Sequence, residues 1–267
     1  MFSTDLHEIK KDIKPLFLAE SFLSIQGEGK YAGTPSVFLR FGGCNLTCKG
    51  FECESVSPLD GSKLIGCDSI FAVDKKHFSK SWEKLCDKEL FGKVMFHVKG
   101  LSYKPHIVIT GGEPLIHYKN QDFYALLKLL DDFFVFIETN ATVIVDFKKF
   151  NLYKNVSFCM SVKLSNSGEP YTKRVNQKAI EAICENAKEA FFKFVLDEQM
   201  IKEGKAQKEI ENIIEDYPAI PIYCMPLGKN KKELEKNSKS IISFCIKNGY
   251  NYTDRIHIRL WNDKRGV

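Results

Sequence analysis

Through the second two thirds of the chain, short apolar runs alternate with longer stretches whose apolar positions recur every three or four residues, the pattern of βαβ units and of a largely parallel sheet. The apolar runs predict strands at 107–110, 133–138, 156–162, 190–196, 219–225 and 255–260, each apolar enough to be buried on both faces. An earlier strand is predicted at 36–41. Helical spacing, as in Ile180, Ile183 and Ala187, predicts helices at 123–130, 177–188, 198–216 and 232–248, and Gly249 stands where the last should stop. This alternation is an α/β fold, either a doubly wound sheet or a partial (β/α) barrel, and both place ligands at the carboxyl ends of the strands. Residues 49–104 break the rhythm: they are rich in Lys, Ser and Gly, with Trp82 and a short helical piece at 80–90. They read as an insertion in a single domain spanning 1–267.

Composition narrows the function classes. A chain of 267 residues with 44% hydrophobic side chains can bury a sizeable core, so neither disorder nor a small disulfide scaffold is expected. With 39 Lys plus Arg against 34 Asp plus Glu, the formal charge of +5 suits a mildly basic enzyme and requires no nucleic-acid partner. The first residues mix Asp5, Glu8, Lys10 and Lys11, and no apolar run approaches bilayer length. A cytoplasmic protein without a membrane segment is expected. Nine cysteines, an odd number in a long chain, predict reduced thiols, some of them metal-bound.

Cys44 and Cys48 lie in Gly42-Gly43-Cys44-Asn45-Leu46-Thr47-Cys48, directly after the strand at 36–41, with Cys53 and Cys67 following. Thiolates converging from one loop suit zinc or an iron–sulfur cluster. Cys86, Cys159, Cys184, Cys224 and Cys245 sit singly in apolar patterns and read as ordinary buried thiols. A second motif, Thr110-Gly111-Gly112-Glu113-Pro114, follows the strand at 107–110, its glycines allowing close backbone approach to a ligand. Together the two motifs resemble the radical S-adenosylmethionine (SAM) superfamily and its modified partial (β/α) barrel. The resemblance implies that three cysteines bind a [4Fe-4S] cluster, that the methionyl group of SAM fills the open iron, and that a 5'-deoxyadenosyl radical takes hydrogen from substrate.

A narrower likeness extends through Ser24-Ile25-Gln26-Gly27-Glu28-Gly29, Gly33-Thr34-Pro35-Ser36-Val37-Phe38-Leu39-Arg40-Phe41, Gly66-Cys67-Asp68-Ser69, Glu138-Thr139-Asn140, Ser161-Val162-Lys163, Met225-Pro226-Leu227-Gly228, His257 and Arg265-Gly266-Val267. This order resembles the 7-carboxy-7-deazaguanine synthase family. It departs from the family's Cys-x3-Cys-x2-Cys at Phe51, which stands where the third cysteine is expected. Cys67 is taken as the third ligand and Cys53 as the alternative, with the insertion following the cluster loop.

Residue by residue, the resemblance places Ile25, Gln26, Gly27, Gly29, Thr110 and the terminal carboxylate of Val267 against the pterin-like substrate. Arg40 takes the substrate carboxylate, for which a planar guanidinium is suited. Gly112 and Glu113 meet the methionyl end of SAM, and Ser161, Val162, Lys163, Met225, Pro226, Leu227 and Gly228 its nucleoside. Arg40, Glu138 and His257 are the catalytic candidates. Ser69 stands where the family has a Thr that ligates Mg2+ and keeps the oxygen a hard cation needs. Ordinary readings exist beside these: an exposed strand face for Arg40, a loop-tip charge for Glu28, a strand cap for Glu138, a surface serine for Ser69 and a core histidine for His257.

The implied function is conversion of 6-carboxy-5,6,7,8-tetrahydropterin to 7-carboxy-7-deazaguanine with release of ammonia, a carbon–nitrogen lyase reaction on the route to queuosine and tRNA modification. The implied cofactors are the cluster, SAM and Mg2+. The implied partners are a flavodoxin or ferredoxin as electron donor and a second copy in a homodimer. Two rivals remain from the sequence: a radical SAM activase that makes a glycyl radical on a partner protein, and a zinc-stabilised RNA-binding module using Cys44, Cys48, Cys53 and Cys67.

Overall fold

The computed structural model describes residues 15–262, 264 and 266; the expectation for Val267 lies outside the described residues. Among them, β1 (Leu16–Ile25), β2 (Pro35–Phe41), β5 (Glu83–Leu85), β6 (His106–Gly111), β7 (Val135–Thr139), β8 (Ser157–Met160), β9 (Glu189–Leu196), β10 (Ile222–Pro226) and β11 (Asn251–Tyr252) form one sheet in the order β11-β10-β9-β8-β7-β6-β2-β1-β5. From β2 to β11 every neighbouring pair is parallel, whereas β1 and β5 add antiparallel strands at one side. A separate antiparallel hairpin joins β3 (Cys53–Val56) to β4 (Lys63–Gly66). The α/β class read from the sequence, with its largely parallel sheet, is the one found.

Period-two alternation divides each parallel strand between two cores. Val37, Leu39, Ile107, Ile109, Val135, Ile137, Phe158, Phe192 and Phe194 face the larger one. There they meet the apolar stripes of α3 (Asp87–Val98), α4 (Gln121–Leu129), α6 (Gln177–Asn186), α8 (Lys205–Ile214) and α9 (Lys231–Asn248), whose Leu90, Phe123, Ile180, Ile210 and Ile241 are all fully buried. Each such side chain stabilises the fold by about 1.5–3 kcal/mol. The alternate positions Phe38, Val108, Phe136, Cys159 and Phe191 point the other way into a small second core, sealed by Phe22, Tyr31, Phe134 and Tyr223. Tyr31 comes from the β1–β2 connection, which crosses this inner face, and its ring contacts His106, Phe134, Phe136 and Phe191. Two residues further along the same faces stand Arg40, Thr110, Glu138 and Lys193. The inner face thus changes from carbon to charge toward the carboxyl ends, which is what positions the site.

Several expectations are corrected. The strand expected at 255–260 is a helix, α10 (Ile256–Trp261). Ile256, Ile258 and Leu260 alternate with His257 and Arg259, but over six residues that alternation also fits a helix, and only Ile258 is buried. The last strand is instead the two-residue β11, paired to β10 at Tyr223↔Asn251. The helix expected at 198–216 is two, α7 (Glu198–Lys202) and α8, separated at Gly204, whose φ of +68° is left-handed. The helix expected at 80–90 is a 3-10 turn over Ser79–Ser81 and, from Asp87, α3; between them β5 pairs with β1 at Leu16↔Leu85. Thus β5 and α3, inside 49–104, belong to the main sheet and its core, whereas the β3–β4 hairpin, α1 (Ile70–Val73) and α2 (Lys75–Phe78) are the rest of that stretch. β1 escaped the sequence reading because a bulge between Leu18 and Glu20 breaks its alternation.

Candidate active site

The cysteine loop and the Gly-Gly-Glu-Pro turn are one packed unit. The amide of Glu113 donates to Gly43 O at 2.8 Å, and that of Gly112 to Phe41 O at 3.2 Å. A Cβ on Gly112 would lie 2.3 Å from Gly43 O and 2.8 Å from Cys44 Cβ. Glycine there is what lets the turn sit directly against the first cysteine. Gly112→Ala should therefore push the cysteine loop away and lower turnover by about 100-fold with the sheet still folded; full activity with wild-type iron content would contradict this.

Glu113 is completely buried. Its carboxylate accepts from Leu115 N at 3.0 Å, Thr139 Oγ1 at 2.8 Å and Asn140 N at 2.5 Å. Burial raises its pKa, and these donors oppose the rise. Its side chain ties the turn to the end of β7, and Asn140 Nδ2 completes the link by donating to Asn45 Oδ1 of the cysteine loop at 2.9 Å.

The four neighbouring thiols divide into two groups. Burial pushes Cys44 up to about 12, with Glu113 and Cys48 adding to the rise and Lys163 opposing it. Cys48 is raised by burial and opposed by Lys163. Cys67 is raised by burial, then by Asp68, Cys48 and Cys44. Cys53 is raised to about 11 by burial, with Asp68 and Glu233 adding to the rise and Arg255 and Lys229 opposing it. Cys44, Cys48 and Cys67 act on one another's charge, whereas Cys53 begins β3, paired with Gly66. Among the described residues no three His, Cys, Asp or Glu converge as ligands of a single ion. A zinc centre needs that convergence at about 2.3 Å, whereas a cuboidal cluster takes each thiolate on a separate iron. The chemistry of this donor set, three neighbouring thiols, one buried and two part-buried, beside a glycine turn, fits the cluster.

Cys48 adopts a left-handed conformation, φ +48°, unusual for a residue with a Cβ. Glu169, buried before α5 (Tyr171–Arg174), holds it: one carboxylate oxygen accepts from Thr47 N at 2.6 Å, Thr47 Oγ1 at 2.7 Å and Cys48 N at 3.0 Å. On the strand exit after β8, Lys163 Nζ bonds Ser161 O and Oγ, each at 3.0 Å. Val162 is buried beside them, and Arg174 fixes the Lys163 carbonyl at 2.8 Å.

Next to the thiols lies a chain of alternating charges. Glu138 accepts from Thr110 Oγ1 at 2.9 Å and Gln26 Nε2 at 3.2 Å, and stands 3.6 Å from Lys193 Nζ. Lys193 donates to Glu28 at 2.7 Å. Arg255 donates to the other oxygen of Glu28 at 2.9 Å, to Gly228 O at 2.8 Å and to Asp68. Asp68 reaches Ser69 Oγ at 3.3 Å, and Ser69 accepts from Arg40 at 3.3 Å. Arg40 ends the chain on Glu20 at 2.7 Å.

Burial would raise Glu28, but Lys193, Arg255 and His257 together hold it well below its ordinary 4.5. Its stabilisation is complete above the unfolded value and lost as pH falls through the folded one. Glu28→Gln should flatten the acid limb of a denaturation profile below pH 4.5; an acid limb identical to wild type would count against it.

The expected residues are thus largely brought together. Ile25 ends β1 opposite Pro35, and Gln26 is buried with its carbonyl oxygen accepting from Glu28 N at 3.2 Å. Gly27 lies against His257, whose Nδ1 would be 2.2 Å from a Cβ there, and Gly29 donates to Thr253 Oγ1 at 2.8 Å. His257 is on α10, not on a strand, 3.9 Å from Glu28. Met225 and Pro226 close β10, Leu227 N bonds Leu196 O at 2.7 Å, and Gly228 packs under Leu234. The sequence reading missed Lys193, Arg255 and Glu169 as members of the site. Lys193 had a signal, a lone charge in the apolar run Phe191-Phe192-Lys193-Phe194-Val195-Leu196. Glu169 had none, because it lies in a loop 121 residues from Cys48.

A family model described as a 4Fe-4S single cluster domain matches residues 25–184. The chain is 30% identical over 257 residues to the 7-carboxy-7-deazaguanine synthase of Clostridium acetobutylicum, covering 94% of this chain and 98% of that protein. It is 27% identical over 264 residues to the one from Halobacterium salinarum, covering 91% and 90%. Its fold matches the crystal structure of QueE from Escherichia coli with a TM-score of 0.63 at 23% identity, covering 95% of this chain and 99% of that one. A native anSMEcpe structure with bound AdoMet matches with a TM-score of 0.51 at 15% identity, over 80% of this chain and 62% of that one. With a cysteine loop packed on a glycine turn and likeness over nearly its whole length, the chain belongs to the 7-carboxy-7-deazaguanine synthase family.

Proposed function

We infer that this protein is a radical SAM lyase that converts 6-carboxy-5,6,7,8-tetrahydropterin to 7-carboxy-7-deazaguanine and ammonia. The observation that carries the reading is the seating of Cys44 against Gly112, with Cys48 and Cys67 close enough to Cys44 to act on one another's charge, at the end of an inner face that turns from apolar to charged. Nothing in the structure favours the activase or the zinc module.

We assign the cluster to Cys44, Cys48 and Cys67, and the methionyl end of SAM to the Gly112 and Glu113 turn, with Glu113 acting through the backbone it fixes. Ser161, Val162, Lys163, Met225, Pro226, Leu227 and Gly228, on two neighbouring strand exits, take the nucleoside. When bound, cluster and SAM supply one-electron cleavage of the sulfonium and a carbon radical that abstracts hydrogen from substrate. The chain's own residues bind and orient. Gln26, Thr110 and Glu138 form one hydrogen-bonded group facing the pterin edge, together with Ile25, Gly27 and Gly29. Arg40 holds the substrate carboxylate beside Ser69 and Asp68, whose oxygens suit Mg2+. His257 backs Gly27. Residues 1–267 act as one domain, its insertion limited to the part of 49–104 that precedes β5. A homodimer, a flavodoxin or ferredoxin donor, a cytoplasmic setting and a place in queuosine synthesis complete the proposal; among the described residues no helix is long and apolar enough to cross a membrane.

Anaerobic protein given reductant, SAM, Mg2+ and the carboxytetrahydropterin should form the deazaguanine acid. Intact cluster without product would refute the assignment.

A further inference from the structure

We propose that Glu169 is a positioning residue of the iron–sulfur centre, fixing Cys48 as a ligand and keeping the reduction potential of the cluster low; this rests on the cluster reading above.

Three observations converge on it. Cys48 occupies a left-handed conformation with φ of +48°, and Glu52, at the far end of the short turn Lys49–Phe51, does the same with φ of +53°. Such positions persist only where the surroundings over-determine them. The surroundings here are the segment around Glu169. Its Oε1 takes Thr47 N, Thr47 Oγ1 and Cys48 N within 3.0 Å. Gly50 is packed so closely on this segment that a Cβ would lie 2.4 Å from Asn166 O and 2.7 Å from Gly168 N. The loop that carries the second cysteine is therefore docked onto a distant loop through one carboxylate and one glycine.

The choice of a carboxylate has an electrical consequence. Cluster potentials follow net charge, hydrogen bonds to sulfur and exposure. An anion bonded to the amide of a ligand cysteine opposes the addition of an electron. It also engages the Thr47 and Cys48 amides, donors that would otherwise be free to turn toward the cluster sulfurs and stabilise the reduced state. Lys173 Nζ, 3.9 Å from the outer oxygen and well exposed, compensates this charge only weakly.

Glu169→Gln keeps an acceptor in place of the anion, and Glu169→Ala removes both. In anaerobically reconstituted protein, the Gln variant should hold wild-type iron and sulfide but show a midpoint shifted to more positive potential in an EPR-monitored redox titration. The Ala variant should lose its cluster to a chelator several-fold faster than wild type. A residue that merely braces the fold would lower the melting temperature without moving the midpoint. An unmoved midpoint in the Gln variant at full iron content, or cluster loss from the Ala variant at the wild-type rate, overturns the inference. Wild-type protein that takes up no iron and sulfide overturns the cluster reading as well, so the two failures are distinct.

Discussion

Cys67→Ala should abolish the cluster and all deazaguanine formation, whereas Cys53→Ala should leave iron, sulfide and turnover intact. The contrast follows from neighbourhood. The charges that raise Cys67 are those of Asp68, Cys48 and Cys44, whereas those acting most on Cys53 are Asp68, Arg255, Lys229 and Glu233, and its Sγ donates to Phe51 O at 3.6 Å. Because three thiolates must be in place for one iron to remain open, loss of any one is not graded. Iron and sulfide analysis with EPR of both variants checks the expectation, and a cluster kept by Cys67→Ala but lost in Cys53→Ala would reverse the ligand assignment.

Lys193→Met should destabilise the fold by about 3–5 kcal/mol, although it adds apolar surface to an apolar strand. The Lys193 side chain is 5% exposed and lies between Glu28 and Glu138, at 2.7 and 3.6 Å. Its removal leaves two carboxylates facing each other out of water, only one of them with a second cation, Arg255. Burial alone would lower the lysine's pKa, but Glu138 and Glu28 outweigh it and hold it well above its ordinary value. Urea denaturation of the apo protein measures the loss, and adding Glu28→Gln to Lys193→Met should recover part of it. A midpoint like that of wild type would show the charge chain to be dispensable.

What the sequence made legible was set by distance along the chain. Gly42 to Cys48 and Thr110 to Pro114 are local motifs after strands whose apolar runs are unmistakable, and both lie where expected. Parallel order and helix faces were equally plain, because Ile180, Ile183 and their counterparts repeat with a helical period. Short elements were not: Ile256 to Leu260 fits two periods at once, and the bulge in β1 hides its alternation. The charge chain was illegible for a different reason. Glu28 meets Lys193 across 165 positions and Arg255 across 227, and no local pattern encodes partners so remote. Arg40, Glu138 and Ser69 were legible as members of local motifs, and Lys193 as a lone charge among phenylalanines, but not as partners of one another.

The rings around Tyr31 make a floor of carbon under the reaction chamber, laid by the hairpin that also presents Gln26. The charged groups toward the carboxyl ends of the strands are therefore backed by packed rings and not by solvent.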